Sequence, residues 1–109
     1  MAVVVTGAGG FVGTAVVAQL VREGKRVTGI DRVPMASRAG VRAVHADLCD
    51  RDPEVRAVLW TADAVIHLAG CPGVRDHRPG ITRRRRRDNV DATRAVLTGT
   101  PERVPLVVV

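Results

Sequence analysis

Short apolar, β-branched runs alternate along this chain with segments whose apolar residues recur at helical spacing. The first run, from Val3 to Val5, predicts a buried strand that ends at Thr6-Gly7. Later runs predict strands over residues 26–30, 41–46, 64–67 and 104–109. Helical spacing predicts helices over residues 10–23, 52–60 and 89–97. Strand and helix therefore alternate, except where residues 34–40 predict a loop between the second and third strands.

Each predicted helix has its own boundary signals and one apolar face. Gly24 follows the first helix as a C-cap, and Asp52-Pro53-Glu54 opens the second with a capping acid, a proline and a further acid. Gly99 and Pro101 close the third. Trp60, at the end of the second helix, is expected to pack against the core rather than to serve as a stacking platform. The residues expected to face the sheet are Val12, Val16, Val17, Leu20 and Val21, then Val55, Val58 and Leu59, then Val90, Thr93, Val96 and Leu97.

This alternation predicts an α/β fold in which a parallel sheet has helices on both faces. Right-handed crossovers give the expected strand order 3-2-1-4-5. Aromatic residues make up only 2% of the chain, so its core must consist of Val, Ala, Leu and Ile, as suits strands buried on both faces. With 109 residues, the chain is long enough for one domain, residues 1–109, and too short for two.

The sequence also indicates the cellular location of the chain. Its start lacks the basic region of a signal peptide, and no apolar run approaches membrane-spanning length, so no membrane partner is expected. Two cysteines, Cys49 and Cys71, indicate no disulfide framework. A reducing, cytoplasmic location is therefore expected.

The net charge of +6 raises nucleic acid as a partner, but much of the excess lies in one run, Arg83 to Arg87. Consecutive helical residues are separated by about 100° around the helix, so this run covers the whole circumference and cannot lie flat against a sheet. We favour a solvated helix start over phosphate or nucleic-acid binding by these arginines.

The first strand-to-helix turn has the composition of a phosphate-binding turn. Gly7 can take backbone angles closed to other residues, Gly10 has no Cβ to block a ligand, and Gly13 lets the helix lie close to the strand. The free N–H groups at the helix start, around Phe11 and Val12, would point at a pyrophosphate. A P-loop is excluded because the turn has no lysine, and G-x-G-x-x-G fails because Val12 stands where the last glycine should be.

Asp31 ends the second predicted strand and follows Gly13 by close to the interval of about 20 residues expected in dinucleotide-binding units. An acid at this place accepts hydrogen bonds from the adenosine ribose hydroxyls, and its charge disfavours a 2′-phosphate. The adjacent Arg32 could hold such a phosphate, but Asp31 would repel it. The pair predicts NAD as the cofactor in preference to NADP.

The spacing Thr6-Gly7-x-x-Gly10-x-x-Gly13 resembles that of the extended short-chain dehydrogenases, the NAD-dependent epimerase/dehydratase family. This resemblance implies a Rossmann-type fold. Asp47-Leu48, at the end of the third predicted strand, resembles the pair that the family places beside the adenine. It implies that the Asp47 carboxylate accepts from the exocyclic amine and that the Leu48 N–H donates to the ring.

The resemblance continues through the second half of the chain. His67-Leu68-Ala69-Gly70 resembles the family's His-Leu-Ala-Ala/Gly segment, which implies that Leu68, Ala69 and Gly70 pass along the nicotinamide half of the cofactor. Gly73-Val74-Arg75 resembles a segment of sugar-nucleotide epimerases in the same family. Residues 89–97 resemble the family's Asn-Val-x-Gly-Thr helix, with Ala92 in place of the glycine, and this implies that Asn89 faces the cofactor.

The resemblance implies the NAD-binding portion of a sugar-nucleotide epimerase or dehydratase. Family members resemble one another in a catalytic Ser/Thr after the fifth strand and a Tyr-x-x-x-Lys helix beyond it. This chain has no tyrosine, and its single lysine, Lys25, is badly placed to substitute. We therefore expect an incomplete domain, truncated before the later strands, that has no catalytic residue of its own and binds NAD without turnover. A nucleotide-sugar substrate is implied only for a full-length relative.

Two other functions stay open at this point. A non-catalytic module that senses a dinucleotide or binds a partner would fold stably by itself, and a nucleic-acid binder acting through Arg83 to Arg87 would show a steep salt dependence. Leu106 to Val109 predict an apolar edge strand that can pair with another chain. His67, Cys71 and His77 match no zinc-ligand spacing, so no metal site is expected.

Overall fold

Strands and helices alternate in this computed structural model, which describes residues 1–70, 80, 83 and 86–109. In chain order the main elements are β1 (Ala2–Thr6), α1 (Phe11–Arg22), β2 (Arg26–Asp31), β3 (Val41–His45), α2 (Pro53–Trp60), β4 (Ala64–His67), α3 (Ala92–Gly99) and β5 (Leu106–Val108). A 3₁₀ turn, Leu48–Asp50, precedes α2, and a π-helical turn, Arg87–Asp91, leads into α3.

The strands form one five-stranded sheet in the order β3-β2-β1-β4-β5. All four strand pairs are parallel, with Val3 opposite both Val27 and Ala64, and Val65 opposite Leu106. β1 lies at the centre of the sheet. β2 and β3 follow it on one side, and β4 and β5 lie on the other side. The predicted parallel sheet and its order are confirmed.

The two faces of the sheet are covered by different helices. Val4 points to one face, where it packs in a cluster with Val58 of α2 and Val96 of α3. Val3 and Val5 point to the opposite face and pack in a second cluster with residues of α1, including Val17. Because side chains alternate along a strand, the consecutive valines of β1 supply both cores. Helices on both faces are thereby confirmed.

α1 begins at Phe11, and its first turn lines a cleft, so the buried face of the helix is not the whole face that was predicted. Val17 is buried and Val16 is partly buried, whereas Val12 is 55% exposed. The prediction that Val12 packs on the sheet is wrong, because the first turn lies beside a cleft instead. No helix in the described ranges has the length and apolarity needed to cross a membrane.

α2 has the capping predicted for it. The Asp52 carboxylate accepts a hydrogen bond from the Glu54 amide at 2.8 Å, and Pro53 occupies the first turn. Leu59 is buried against the sheet, but Trp60, about 100° further around the helix, is 61% exposed. The expectation that Trp60 packs against the core is wrong.

α3 buries only part of the face predicted for it: Val96 is buried as predicted and Thr93 is partly buried. Ala92 and Val96, four residues apart, are buried, whereas Val90 and Leu97 are exposed. Val90 and Leu97, seven residues apart, lie on one side of the helix, and Ala92 and Val96, four residues apart, lie on another. The small side chain of Ala92 belongs to the face that approaches the sheet, so the predicted burial of Val90 and Leu97 is wrong.

Candidate functional site

A cleft of about 710 Å³ opens at the carboxyl ends of the strands. It lies beside β1, where the strand order reverses from the β2–β3 side of the sheet to the β4–β5 side. Open parallel sheets bind ligands at such a point. Every residue that the sequence predicted for the site lines this cleft, namely Gly7, Gly10, Phe11, Val12, Gly13, Asp31, Arg32, Asp47, Leu48, Leu68, Ala69, Gly70 and Asn89. The structure thus brings these residues together, and their part in binding stays a prediction.

The glycine turn is held tightly against the neighbouring strands. Gly7 has a φ of 69°, and its amide donates to the carbonyl of Ile30 at 2.8 Å. A Cβ on Gly7 would come within 2.7 Å of the Ala69 amide nitrogen, and a Cβ on Gly13 would overlap the Gly7 carbonyl oxygen. Both positions therefore require glycine, since the backbone passes too close for any side chain.

Gly10 differs from these two glycines. It is the N-cap residue of α1, with extended backbone and no side-chain cap. A Cβ on Gly10 would make only ordinary contact, at 3.4 Å from the Gly7 carbonyl oxygen. Packing within the chain leaves room there, and the first-turn N–H groups at Phe11 and Val12 border the cleft. The turn is therefore shaped to admit an anion close to the backbone.

Asp31 lies directly beside the glycine turn. Its Oδ2 accepts a hydrogen bond from the Gly9 amide at 2.9 Å, and its Oδ1 accepts one from the Val33 amide at 3.0 Å. The next residue, Arg32, accepts a hydrogen bond from His45 Nε2 at its carbonyl oxygen. Gly9 is a site residue that the sequence analysis missed, and its place within the glycine-rich turn was the available signal.

Asp47 caps the 3₁₀ turn and also forms an ion pair. Its Oδ1 accepts from the Cys49 amide at 2.9 Å, and its Oδ2 accepts from Arg87 Nη1 at 2.5 Å. Burial by itself raises the pKa of Asp47. The hydrogen bonds from Arg87 and the Cys49 amide outweigh burial and lower the pKa below its usual value of 3.8.

The same contact corrects the prediction for the arginine run. Arg83 and Arg86 are exposed, as expected for a solvated helix start, and Arg84 and Arg85 lie outside the described residues. Arg87, however, bonds to Asp47 and also reaches Asp50 at 3.3 Å. The prediction of a wholly solvated run is therefore wrong at Arg87, because the π-helical turn brings this residue over the 3₁₀ turn.

A buried histidine joins the floor of the cleft. His67 is 1% exposed, with Nδ1 at 2.6 Å from the Thr6 hydroxyl and Nε2 at 2.8 Å from the Thr93 hydroxyl. The Thr6 oxygen already accepts from the amides of Leu68 and Ala69, so its proton goes to Nδ1. Nε2 then carries the ring proton and donates to Thr93. Burial lowers the pKa of His67 below its usual value of 6.5, which favours this neutral form.

This hydrogen-bonded chain positions the segment that follows β4. Thr93 donates in turn to the Asn89 carbonyl at 3.0 Å. A Cβ on Gly70 would lie only 2.7 Å from the Asn89 side-chain oxygen, so Gly70 and Asn89 approach each other across the cleft. Thr93, which the sequence analysis assigned to packing, also lines the cleft. Cys71, His77 and Gly73-Val74-Arg75 lie outside the described residues.

Comparison with known proteins agrees with this geometry. None of the curated proteins matches the chain significantly. Residues 3–104 match the NAD dependent epimerase/dehydratase family. This chain belongs to that family.

Several solved structures share this fold. MoeE5, solved with UDP-glucuronic acid and NAD, is 32% identical with a TM-score of 0.82, and the match covers 99% of this chain and 36% of that one. A short-chain dehydrogenase/reductase superfamily protein from Agrobacterium tumefaciens, with bound NAD, is 30% identical with a TM-score of 0.82, over 99% of this chain and 32% of that one.

A third match is a variant of UDP-glucuronic acid 4-epimerase from Bacillus cereus, in complex with a fluorinated UDP-glucuronic acid and NAD. It is 25% identical with a TM-score of 0.79, over 97% of this chain and 38% of that one. This chain of the epimerase/dehydratase family thus spans about a third of the length of these proteins.

Proposed function

We propose that this chain is the NAD-binding part of an oxidoreductase of the epimerase/dehydratase kind, with NAD lying across the cleft. One observation carries the proposal: the glycine turn and Asp31 meet in a single cleft, joined by the hydrogen bond from the Gly9 amide to Asp31 Oδ2 at 2.9 Å. A dinucleotide needs both an anion site for its pyrophosphate and an acceptor for its ribose hydroxyls, a few ångströms apart. The NAD complexes of MoeE5 and the Agrobacterium protein support the choice of ligand.

The pyrophosphate would lie over the start of α1. There the amides of Phe11 and Val12 are oriented by the helix, and the helix dipole favours a negative charge. The space at Gly10 lets the phosphate approach, because only a hydrogen occupies the position of a side chain. Asp31 would accept from the ribose hydroxyls with the lone pairs that its two amide contacts leave free. Its negative charge supports NAD rather than NADP, despite the neighbouring Arg32.

The two ends of NAD would lie on opposite sides of the glycine turn. Asp47 and Leu48, at the end of β3, are proposed to hold the adenine. Leu68, Ala69 and Gly70 follow β4 and would run along the nicotinamide half, with Asn89 across the cleft. The hydrogen bonds from Leu68 and Ala69 to the Thr6 hydroxyl support this part of the proposal, because they hold the segment in place before any ligand arrives.

We further propose that the 109 residues bind NAD without turning over a substrate. Bound NAD supplies a hydride acceptor and donor, but hydride transfer to or from a sugar also needs a positioned acid or base. The chain contains no tyrosine, and Lys25 lies next to the start of β2, at the opposite end of the sheet from the cleft. A nucleotide-sugar substrate would belong to a longer protein that contains this portion. A cytoplasmic setting is supported by the free thiol of Cys49.

Calorimetric titration of the full chain with NAD and with NADP tests the binding proposal. We expect NAD to bind more tightly. Asp31→Asn keeps the size of the side chain but removes its charge, and we expect it to weaken NAD binding by about 10-fold, since hydrogen bonds to charged groups contribute about 1.5–3 kcal/mol. Asp31→Asn should also reduce the preference for NAD over NADP.

Asp63→Asn is a matched control for that experiment. Asp63 also accepts a backbone amide, that of Ala2 at 2.7 Å, but it lies beside the amino-terminal ends of the strands. NAD affinity should not change in this variant. Absence of a heat signal with either dinucleotide would overturn the proposed function.

A further inference from the structure

Arg87 is the one member of the arginine run within the described residues that bonds to a residue lining the cleft, Asp47. Its guanidinium donates to Asp47 Oδ2 at 2.5 Å and to Asp50 Oδ1 at 3.3 Å. Its own carbonyl lies 3.5 Å from Cys49 Sγ, which donates to it. Burial raises the pKa of the Cys49 thiol, which keeps this S–H donor protonated. Arg87 therefore connects the π-helical turn to the 3₁₀ turn at three points.

These contacts determine what Asp47 offers to a ligand. One carboxylate oxygen is oriented by the Cys49 amide and the other by Arg87. An ionised carboxylate accepts about four hydrogen bonds and donates none. At least two of these acceptor positions are used within the protein, and Asp47 also lines the cleft, where a ligand can reach the carboxylate. With Arg87 holding it ionised, the carboxylate presents acceptors only.

Purines differ at the edge that such a group would read. Adenine has an exocyclic amine donor at position 6, whereas a 6-oxopurine such as hypoxanthine has an acceptor oxygen there. A fixed carboxylate pairs with the amine and repels the oxygen. A carboxyl group that took up a proton could donate to the oxygen instead, and a carboxylate that rotated away would lose its hydrogen bond to the amine. The strength of the selection thus depends on how firmly Asp47 is held and how fully it is ionised.

We propose that Arg87 is a positioning residue for the purine end of the dinucleotide: it holds the Asp47 carboxylate as a fixed acceptor, so that the site selects a 6-aminopurine over a 6-oxopurine. The inference rests on the proposed function, since it assumes that NAD occupies the cleft. The other described members of the run, Arg83 and Arg86, are exposed.

The test compares NAD with nicotinamide hypoxanthine dinucleotide, which differs only at position 6 of the purine. Both are titrated calorimetrically into the full chain and into Arg87→Gln, Arg87→Lys and Arg86→Gln. The parent chain and Arg86→Gln, whose arginine is exposed, should bind NAD at least about 10-fold more tightly than the hypoxanthine analogue. Arg87→Gln should lose most of that ratio, mainly through weaker NAD binding.

Arg87→Lys separates charge from geometry. A lysine keeps the positive charge but lacks the planar fork that reaches Asp47 and Asp50 together. Arg87→Lys should therefore keep part of the preference for NAD over the hypoxanthine analogue that Arg87→Gln loses. Asp50→Asn leaves the Asp47 contact in place, and it should reduce the ratio less than Arg87→Gln does. Circular dichroism of each variant reports folding, and if Arg87→Gln fails to fold, Arg87→Lys and Asp50→Asn still give the comparison.

The outcomes distinguish this inference from the function beneath it. If the parent chain binds NAD and Arg87→Gln keeps the full ratio, Arg87 has no role in purine selection, while the proposed function stands. Tighter NAD binding by Arg87→Gln would mean that Arg87 competes with the purine for Asp47, and it would overturn the inference too. If the parent chain binds neither dinucleotide, both proposals fail.

Discussion

His67 has no free hydrogen-bonding capacity in the interior of this protein. Thr6 donates to its Nδ1, and its Nε2 donates to Thr93, so both ring nitrogens are satisfied by the neutral ring. A second ring proton on Nδ1 would face the Thr6 hydroxyl, whose oxygen already accepts two amides. Protonation would therefore break the chain of hydrogen bonds that holds the segment after β4.

Stability should fall as the pH drops through the range of histidine titration. Because burial lowers the pKa of folded His67, the unfolded chain binds a proton that the folded chain does not bind. The stabilising contribution of neutral His67 is fully present above the usual pKa of 6.5 and is lost progressively as the pH falls below it. Thermal or urea unfolding measures how stability depends on pH. The useful range is about pH 5 to pH 8, in which histidine usually titrates.

Two variants check that assignment. His67→Asn should flatten the pH dependence, and it should destabilise the protein by about 1–3 kcal/mol at neutral pH because buried partners lose their hydrogen bonds. His45→Gln changes a histidine that is exposed, so the slope should remain. An unchanged slope in His67→Asn would show that another group causes it.

α2 begins where it does because of three consecutive residues, and its cap can be tested separately from its packing. The Asp52 carboxylate satisfies the Glu54 amide, one of the N–H groups that the start of a helix leaves without a partner. Pro53 sets the backbone angle of the first turn at no cost in hydrogen bonds. Local chemistry of this kind acts whatever the rest of the chain does.

Asp52→Ala should lower the free energy of unfolding by about 1 kcal/mol, the usual effect of removing an N-cap. Urea titration at neutral pH measures the change. Asp52→Ser retains an acceptor and should recover most of the loss. Arg56→Ala, on the exposed side of α2, should change stability by less than about 0.5 kcal/mol. A loss in Asp52→Ala no larger than in Arg56→Ala would contradict the capping role.

The sheet as a whole is covered unevenly. α1 packs on the face formed by Val3 and Val5, and residues of α2 and α3 pack on the other. β5 lies at one edge of the sheet, with β4 as its partner among the described strands. Val107 is 55% exposed and Val108 is 52% exposed, so this edge presents apolar side chains as well as unpaired backbone groups.

We predict that the 109-residue chain associates through β5 at high concentration. Val107→Lys places a charge on the edge strand and should shift the chain toward monomer, as sedimentation velocity over a concentration series would show. Leu97→Lys is a matched control, because Leu97 on α3 has the same 55% exposure but lies outside the sheet. Dispersal by Leu97→Lys and not by Val107→Lys would place the contact on the helix instead.

The order of elements and much of the candidate site could be predicted because they depend on local signals. Apolar runs, glycine turns and capping acids predict each strand and helix within a few residues, and handedness rules then determine the order of a parallel sheet. Since parallel strands end at the same edge, residues such as Gly10, Asp31 and Asp47 could be assigned to one cleft before their distances were known.

Which face of each helix is buried, and which charges pair, depended on three-dimensional packing. Val12, Trp60 and Leu97 fit an apolar pattern along the chain, yet each is more than half exposed, because a helix packs only the face whose side chains fit the sheet. Arg87 and Asp47 are 40 positions apart. Arg87 belongs to the arginine run and Asp47 to the Asp47-Leu48 pair, and no sequence pattern links these two segments. Their ion pair forms because folding brings two turns together, so neither periodicity nor spacing along the chain predicts it.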